Sequence, residues 1–272
     1  MELVVVIPCH RRWDLLPDAI AAVGGLPVVV VNDAPPGLAV DEPDGVTLVR
    51  TAGSQGFARA VNAGLAAACD LGATHALLLN DDARLLPGCI AALVASWNDR
   101  SGAVGPVLLD HDGAVESAGI SVASWGRVKV AQRAPEGITG VDALSGACLM
   151  IRAGERLDEG FAHGFEDIEL CSRLRRQGKT VRIVPAARCQ HLGGATLSRR
   201  SPTAQRHAVS GHLRLLGRRR LVPVVVGLAV AQVIREGGPP GRLSGIAAGV
   251  GDWLRAAPSP AQSPPQAPAQ AG

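Results

Sequence analysis

The chain of 272 residues, 47% of them hydrophobic, is too apolar for a disordered protein and long enough to bury a sizeable core as one large domain or two closely joined halves. Its net charge of +3, with 3% aromatic residues and no tyrosine, provides neither the basic field nor the stacking platforms of a nucleic-acid binder, though it suits an anionic substrate such as a diphosphate. Six scattered cysteines (9, 69, 89, 148, 171, 189) form no C-x-x-C pair and no secretory segment precedes the first apolar run, so reduced thiols in a cytoplasmic protein are expected.

Val4 to Ile7 form a short apolar run ended by Pro8, and Val28 to Val31 form a second ended by Asn32-Asp33. With a helix predicted from about Trp13 to Val23 between them, they make a βαβ unit. A helix from about Phe57 to Asp70 carries Ala58, Val61, Leu65 and Ala68 at helical spacing, and Ala76 to Leu79 reads as a buried strand. Continuous apolar strands alternating with helices predict an α/β fold with a mostly parallel central sheet flanked by helices. A helix from about Pro87 to Trp97 leads to Gly102, after which Val104, Val107 and Leu108 begin a second half of shorter, more polar segments. Residues 111 to 140 predict loops or hairpins. Order returns with Leu144 to Ile151, a helix from Glu166 to Gln177 closed by Gly178 at C′, and a strand from Val181 to Val184. Beyond Ser201 come an arginine-rich helix, an apolar run from Leu221 to Ile234, and a Pro/Ala/Gln tail from about Pro258 expected to be disordered.

Three polar spots follow these elements. Asn80-Asp81-Asp82 should emerge just past a strand end, where Asp82 could hold a hard divalent cation on a diphosphate; the same triplet also serves as an ordinary polar turn. Glu166 and Asp167 open a helix, where the macrodipole favours carboxylates, and they equally suit a cleft-facing general base after the Gly160 to Gly164 loop. Dipole and pair effects oppose each other there, so the pKa is not fixed by sequence. His191 follows the Val181 to Val184 strand and a turn from Pro185, and leads into Leu192-Gly193-Gly194, a backbone able to approach phosphate; it reads as a metal or diphosphate contact or as a structural histidine. Asp33 precedes Ala34-Pro35-Pro36-Gly37, a turn expected to point it outward as an acceptor for a pyrimidine imide or to form an Asx turn. Two nucleotide motifs fall away. Pro8-Cys9-His10-Arg11-Arg12 follows the first strand in place of G-x-G-x-x-G, and Gly178-Lys179-Thr180 lacks the first P-loop glycine, Arg173 standing there at the end of a helix.

Taken in order, VVVIPCHRRWDLLPDAI, VVVVNDAPPG, GFARAVNAGL, LLLNDDARLLPG, GAVGPVLLD, ALSGACLMIRAG and LDEGFAHGFEDIELCSRLRRQGKTVRIVPAARCQHLGG resemble the inverting family 2 glycosyltransferases of the GT-A fold, especially rhamnosyltransferase-like members. The resemblance implies a donor-binding set of Pro8, Cys9, Asp33, Gly56, Asn80 and Asp81, with Asn80 in place of the first aspartate of a DxD motif. It implies Asp82 and His191 as ligands of Mg²⁺ or Mn²⁺, Asp167 as the base beside Glu166, and Ser145, Gly146 and Ala147 as acceptor floor. The expected organisation is a nucleotide-sugar-binding half (1–100), an acceptor-binding half with the base (101–200), a C-terminal helical extension (201–257) and the tail (258–272). The implied reaction moves a sugar from a dTDP- or UDP-sugar, dTDP-rhamnose among them, to a glycan or lipid-linked acceptor. Rival readings are a non-catalytic nucleotide-sugar or glycan-binding module and a sugar-nucleotide pyrophosphorylase, whose basic Gly-rich loop after the first strand is missing here. Leu221 to Ile234 is shorter than the roughly 20 residues that span a bilayer. Flanked by Arg218, Arg219, Arg220 and Arg235, it reads either as a peripheral contact on the inner face of the membrane or as a helix packed on the catalytic domain.

Overall fold

A computed structural model describes residues 1–123, 127–161, 163–192, 201–217, 222–236 and 241–256. The expectations for Gly193-Gly194, Arg218 to Arg220 and the tail from Pro258 lie outside the described residues.

Every residue of β1 (Leu3–Cys9) is buried, and β1 sits in the middle of the sheet. It pairs in parallel with β2 (Val28–Asn32) and β4 (His75–Leu79), and β2 pairs in parallel with β3 (Thr47–Arg50). On the other side of β4 lies β11 (Cys148–Arg152), antiparallel to β4 and to β6 (Ser101–Leu109), followed by β12 (Thr180–His191) parallel to β6. Thus β1, β2, β3, β4, β6 and β12 all run the same way, and β11 reverses between β4 and β6. The short β5 (Ala83–Leu85), β7 (Val115–Ser117) and β10 (Thr139–Gly140) add antiparallel margins, and β8 (Ile120–Val122) with β9 (Val128–Val130) forms a separate hairpin.

Side chains alternate across a strand, and both faces here are covered, so both sets must be apolar. Val4, Val6, Val29, Val31 and Leu78 pack with α2 (Phe57–Asp70) and α4 (Glu166–Arg176) on one face; Val5, Ile7, Val30, Leu77 and Leu79 pack with α1 (Leu16–Ala21) and α3 (Cys89–Ser96) on the other. Gly64 lets α2 press onto the sheet: a Cβ there would lie 2.4 Å from Val6 Cγ1. All six cysteines are unpaired.

Two prolines behave differently from the sequence expectation. Pro8 lies inside β1, because the register with β4 ends at Val6 and no ladder bond on that side needs its missing N–H. Pro185 does not end β12; a register shift between Val184 and Arg188 absorbs it, and the strand runs on to His191. The first helix is also shorter than predicted, since residues 10–15 are taken up by bends and turns and Pro17 sits in the first turn.

The C-terminal extension is three helices, α5 (Pro202–Leu216), α6 (Val222–Arg235) and α7 (Gly241–Arg255), around a small core of Val209, Leu213, Val225, Ala229, Val233 and Ile246. Ser201 Oγ caps α5 by accepting from Ala204 N at 3.0 Å. The α5 helix is fastened to the loop before α4 by the buried pair of Arg214 and Asp158, two parallel bonds of 3.0 and 2.9 Å. Phe165 stacks on His212 with ring centroids 5.4 Å apart. No helix among the described residues is long and apolar enough to cross a membrane.

Candidate functional site

The carboxyl ends of β1, β2 and β4 open into one cleft, as parallel strands in an open α/β sheet dispose their ligand sites. A cavity of about 300 Å³ there is lined by all six residues of the expected donor-binding set, Pro8, Cys9, Asp33, Gly56, Asn80 and Asp81. Phe57 and Ala60 of α2 wall one side, and His10, His163 and His207 join them. A roomier hollow of about 620 Å³ beside Met1 and Leu71 gathers no comparable set of polar groups.

Asp33 does not point outward. It is 3% exposed, and its carboxylate ties down the loop before α2 by accepting from Thr51 Oγ1 at 2.5 Å, Gln55 N at 2.8 Å and Gly56 N at 3.1 Å. Gly56 can serve because its φ of 93° leads directly into the first turn of α2. His10 Nδ1 donates to the Asp33 carbonyl at 2.7 Å, which packs the end of β1 against the end of β2. Asp81 accepts from His10 N at 3.3 Å; burial raises its pKa, and burial together with Asp81 keeps Cys9 a protonated thiol.

Asp82 is buried at the head of β5, and His191 at the end of β12 pairs with that strand. His191 Nε2 lies 3.3 Å from Asp82 Oδ1, yet that oxygen has no hydrogen-bond partner: the two atoms are close but out of line. On the far side of the ring, His191 Nδ1 donates to Glu116 Oε2 at 2.8 Å. Burial opposes charge on His191, but Asp82 and Glu116 outweigh it and hold the imidazole up at about 10; burial pushes Asp82 up, and His191 more than offsets this. Asn80 Oδ1 is a second buried oxygen without a partner. The two orphaned oxygens are hard donors of the kind that suit Mg²⁺ or Mn²⁺, and His191 would join them only on giving up its Nε2 proton to the incoming cation. The exposed Asp110-His111-Asp112 group, in contrast, is a turn in which Asp110 Oδ1 accepts from Asp112 N and Ala114 N at 3.0 and 2.9 Å.

The segment Ser145-Gly146-Ala147 joins these parts. The Ala147 carbonyl accepts from Asn80 N at 2.9 Å, and Gly146 N donates to Asp167 Oδ2 at 2.8 Å. Ser145 Oγ accepts from Ala147 N at 3.3 Å, which tightens the turn. Asp167 Oδ1 accepts from Ile168 N at 2.8 Å, so each oxygen of Asp167 holds one N–H and retains acceptor capacity. Burial raises Asp167, partly offset by those bonds. Its neighbour Glu166 is buried, with Oε2 unpartnered; burial first, then the charge of Asp167, raises it to about 8. Burial thus raises both carboxyls, and the charge of Asp167 adds to the rise at Glu166, so the pair favours holding a proton.

The native state thus holds a proton that the unfolded chain releases at the ordinary 4.5, so the stability tied to Glu166 falls as pH rises from 4.5 to about 8. Glu166→Gln, neutral throughout, is expected to gain in melting temperature over wild type steadily from about pH 5 to about pH 8. A constant difference across that range would show that Glu166 ionises normally.

His10, His163, His207, Thr51 and Glu116 were not singled out from sequence. His10 follows Cys9 directly, whereas the other four reach the cleft or its supports from other elements, and none carries a local motif.

Comparison with known proteins adds the following. A family model described as Glycosyl transferase family 2 matches residues 4–153. The N-acetylglucosaminyl-diphospho-decaprenol L-rhamnosyltransferases of two Mycobacterium tuberculosis strains, CDC 1551 / Oshkosh and ATCC 25618 / H37Rv, are each 29% identical over 193 residues, covering 59% of this chain. The match spans 63% of the length of those relatives. Among solved structures, GalNAc-T7 with UDP, GalNAc and Mn²⁺ aligns with a TM-score of 0.57 at 16% identity, covering 79% of this chain and 47% of that one. Residues 1–349 of S. aureus TarS align with a TM-score of 0.55 at 11% identity, covering 94% of this chain and 80% of that one. At these identities the likeness to the solved structures is one of fold.

Proposed function

The chain belongs to glycosyl transferase family 2 and has the GT-A fold, and on that premise we propose that it transfers a hexose from a dTDP- or UDP-sugar to a lipid-linked acceptor with inversion. The observation that carries this reading is the convergence of Pro8, Cys9, Asp33, Gly56, Asn80 and Asp81 on one cleft, with Asp167 bonded to Gly146 behind the Phe57 wall of that cleft. Residues 1–100 would bind the donor and 101–200 the acceptor. The name of the rhamnosyltransferase relatives makes dTDP-rhamnose the first donor to try and a prenyl-diphosphate-linked N-acetylglucosamine the first acceptor.

In the proposed step the acceptor oxygen bonds to the anomeric carbon as the bond from that carbon to the distal phosphate oxygen breaks. The acceptor's proton passes to Asp167, and the nucleoside diphosphate leaves with the bonding pair. Asp82, His191 and Asn80 would hold Mg²⁺ or Mn²⁺, which when bound supplies positive charge against the leaving diphosphate. Asp167 is the member of the pair bonded to Gly146 of the 145–147 segment, which makes it the proposed base, with Glu166 as its buried neighbour. The direct test is incubation of the full chain with dTDP-rhamnose, other dTDP- and UDP-hexoses, Mn²⁺ and that acceptor. Sugar transfer with release of nucleoside diphosphate is expected. Folded protein that neither transfers nor hydrolyses any donor would instead be a non-catalytic binding module.

A lipid-linked acceptor requires the enzyme to work at a membrane surface. On α6, Val225, Ala229 and Val233 face the neighbouring helices, while Val224, Leu228 and Ile234 are exposed, Ile234 by 72%. This outward apolar stripe supports peripheral contact with the anionic inner face, while the inward one serves the packing role. The full chain is expected to co-sediment with phosphatidylglycerol vesicles, and Ile234→Asp to lose most of that binding. Equal sedimentation of the two proteins would rule out this face.

A further inference from the structure

We propose that His207 of α5, together with His163, hydrogen-bonds the distal phosphate of the nucleotide-sugar donor, so that the C-terminal helices complete the donor site. This rests on the donor reading given above. Both histidines line the same cavity as Asp33, Asn80 and Asp81, although α5 lies beyond the stretch matched by the family model. Their rings stand 6.3 Å apart, tilted by 46°. Nδ1 of His207 is shut off from water and has no hydrogen-bond partner, so in the neutral ring the proton belongs on Nε2, the nitrogen left to face the cavity that the residue lines.

Placement of the pair is fixed rather than incidental. One turn along α5 from His207, Gly211 brings the helix so close that a Cβ there would lie 2.8 Å from the Phe165 ring, and Phe165 is itself held at a φ of 75° directly before Glu166. The Arg214–Asp158 pair locks the next turn. His163 also lies within electrostatic reach of Asp167, which ties the histidine pair to the proposed base as well as to the donor cavity. The chemistry also suits a phosphate. The cleft already holds Asp33 and Asp81, so an incoming diphosphate meets like charge unless donors face it from the other wall. Burial, then His163 and Arg206, keep His207 below its usual pKa against the pull of Asp252, so it enters as a neutral N–H donor.

The test compares affinities of the full chain, with Mn²⁺, for UDP and dTDP against UMP and dTMP in wild type, His207→Ala and His163→Ala. Each variant is expected to bind the preferred diphosphate about tenfold more weakly, with the monophosphate affinity and the melting temperature unchanged. His207→Gln, which keeps an N–H donor, is expected to recover most of the loss. Wild-type affinity for the diphosphate in both alanine variants, or an equal loss for the monophosphate, overturns the assignment while leaving the donor site standing. Failure of the wild type to bind either diphosphate overturns the donor reading itself.

Discussion

Asp167→Asn is expected to lower turnover by about 10²–10⁴-fold at saturating donor while leaving nucleoside-diphosphate affinity unchanged. The amide oxygen can still accept from Gly146 N, so the bond that holds the 145–147 segment to α4 survives the change. What the variant loses is an acceptor for the proton of the attacking hydroxyl. Glu166 is not expected to substitute, because burial, the first cause of its raised pKa, persists in the variant and its side chain remains buried. Glu166→Gln should accordingly keep most of the turnover that Asp167→Asn removes. The measurement is initial rate of product formation for both variants, with calorimetric binding of dTDP and UDP as the control. Near-normal turnover of Asp167→Asn with donor binding intact would assign the base elsewhere.

Local pattern made part of this architecture legible. The helix at Phe57–Asp70 coincides with its predicted span, because Ala58, Val61, Leu65 and Ala68 recur at helical spacing and a glycine precedes them. The N-terminal βαβ unit could be read because Val4–Ile7 and Val28–Val31 are apolar on both faces, which only a sheet covered on both sides demands. Where tertiary pairing decides, the reading stopped short. Pro185 looked like a strand end, and only β6 running alongside shows that a bulge lets β12 continue to His191. The antiparallel sense of β11 has no local signature either, since Cys148 to Ile151 is as evenly buried as the strands beside it.

At the cleft the same division holds. Asp33 could be recognised as a residue at a strand end, but its orientation depends on N–H groups of Gln55 and Gly56 far along the chain, and these turn its carboxylate inward. Glu116 was lost in a stretch read as loops and hairpins, yet β7 places it against His191. His207 was hidden in an arginine-rich helix whose position over the cleft depends on Arg214, Gly211 and Phe165. Residue type at a strand end is thus visible in sequence, whereas supports that arrive from other elements are not.

Glu116 bears on the second large effect. Asp82→Ala is expected to abolish the dependence of dTDP or UDP binding on Mn²⁺, and with it sugar transfer, because it removes the orphaned oxygen that faces His191 Nε2. The side chain is buried at the head of β5, and the variant's melting temperature without metal is the control for its folding. Glu116→Gln makes the graded comparison. It keeps a hydrogen-bond acceptor for Nδ1 but loses the charge that fixes the ring, so a loss of about tenfold in Mn²⁺ affinity is expected rather than abolition. Calorimetric titration of Mn²⁺ in the presence of nucleoside diphosphate reads both. If Asp82→Ala bound diphosphate with undiminished metal dependence, the cation would have to sit elsewhere, and the Asp82–His191–Glu116 row would be a structural ion pair that merely closes β5 onto β12. The unpartnered Asp82 oxygen argues against that alternative, since a purely structural pair would gain from bringing Nε2 into line with it.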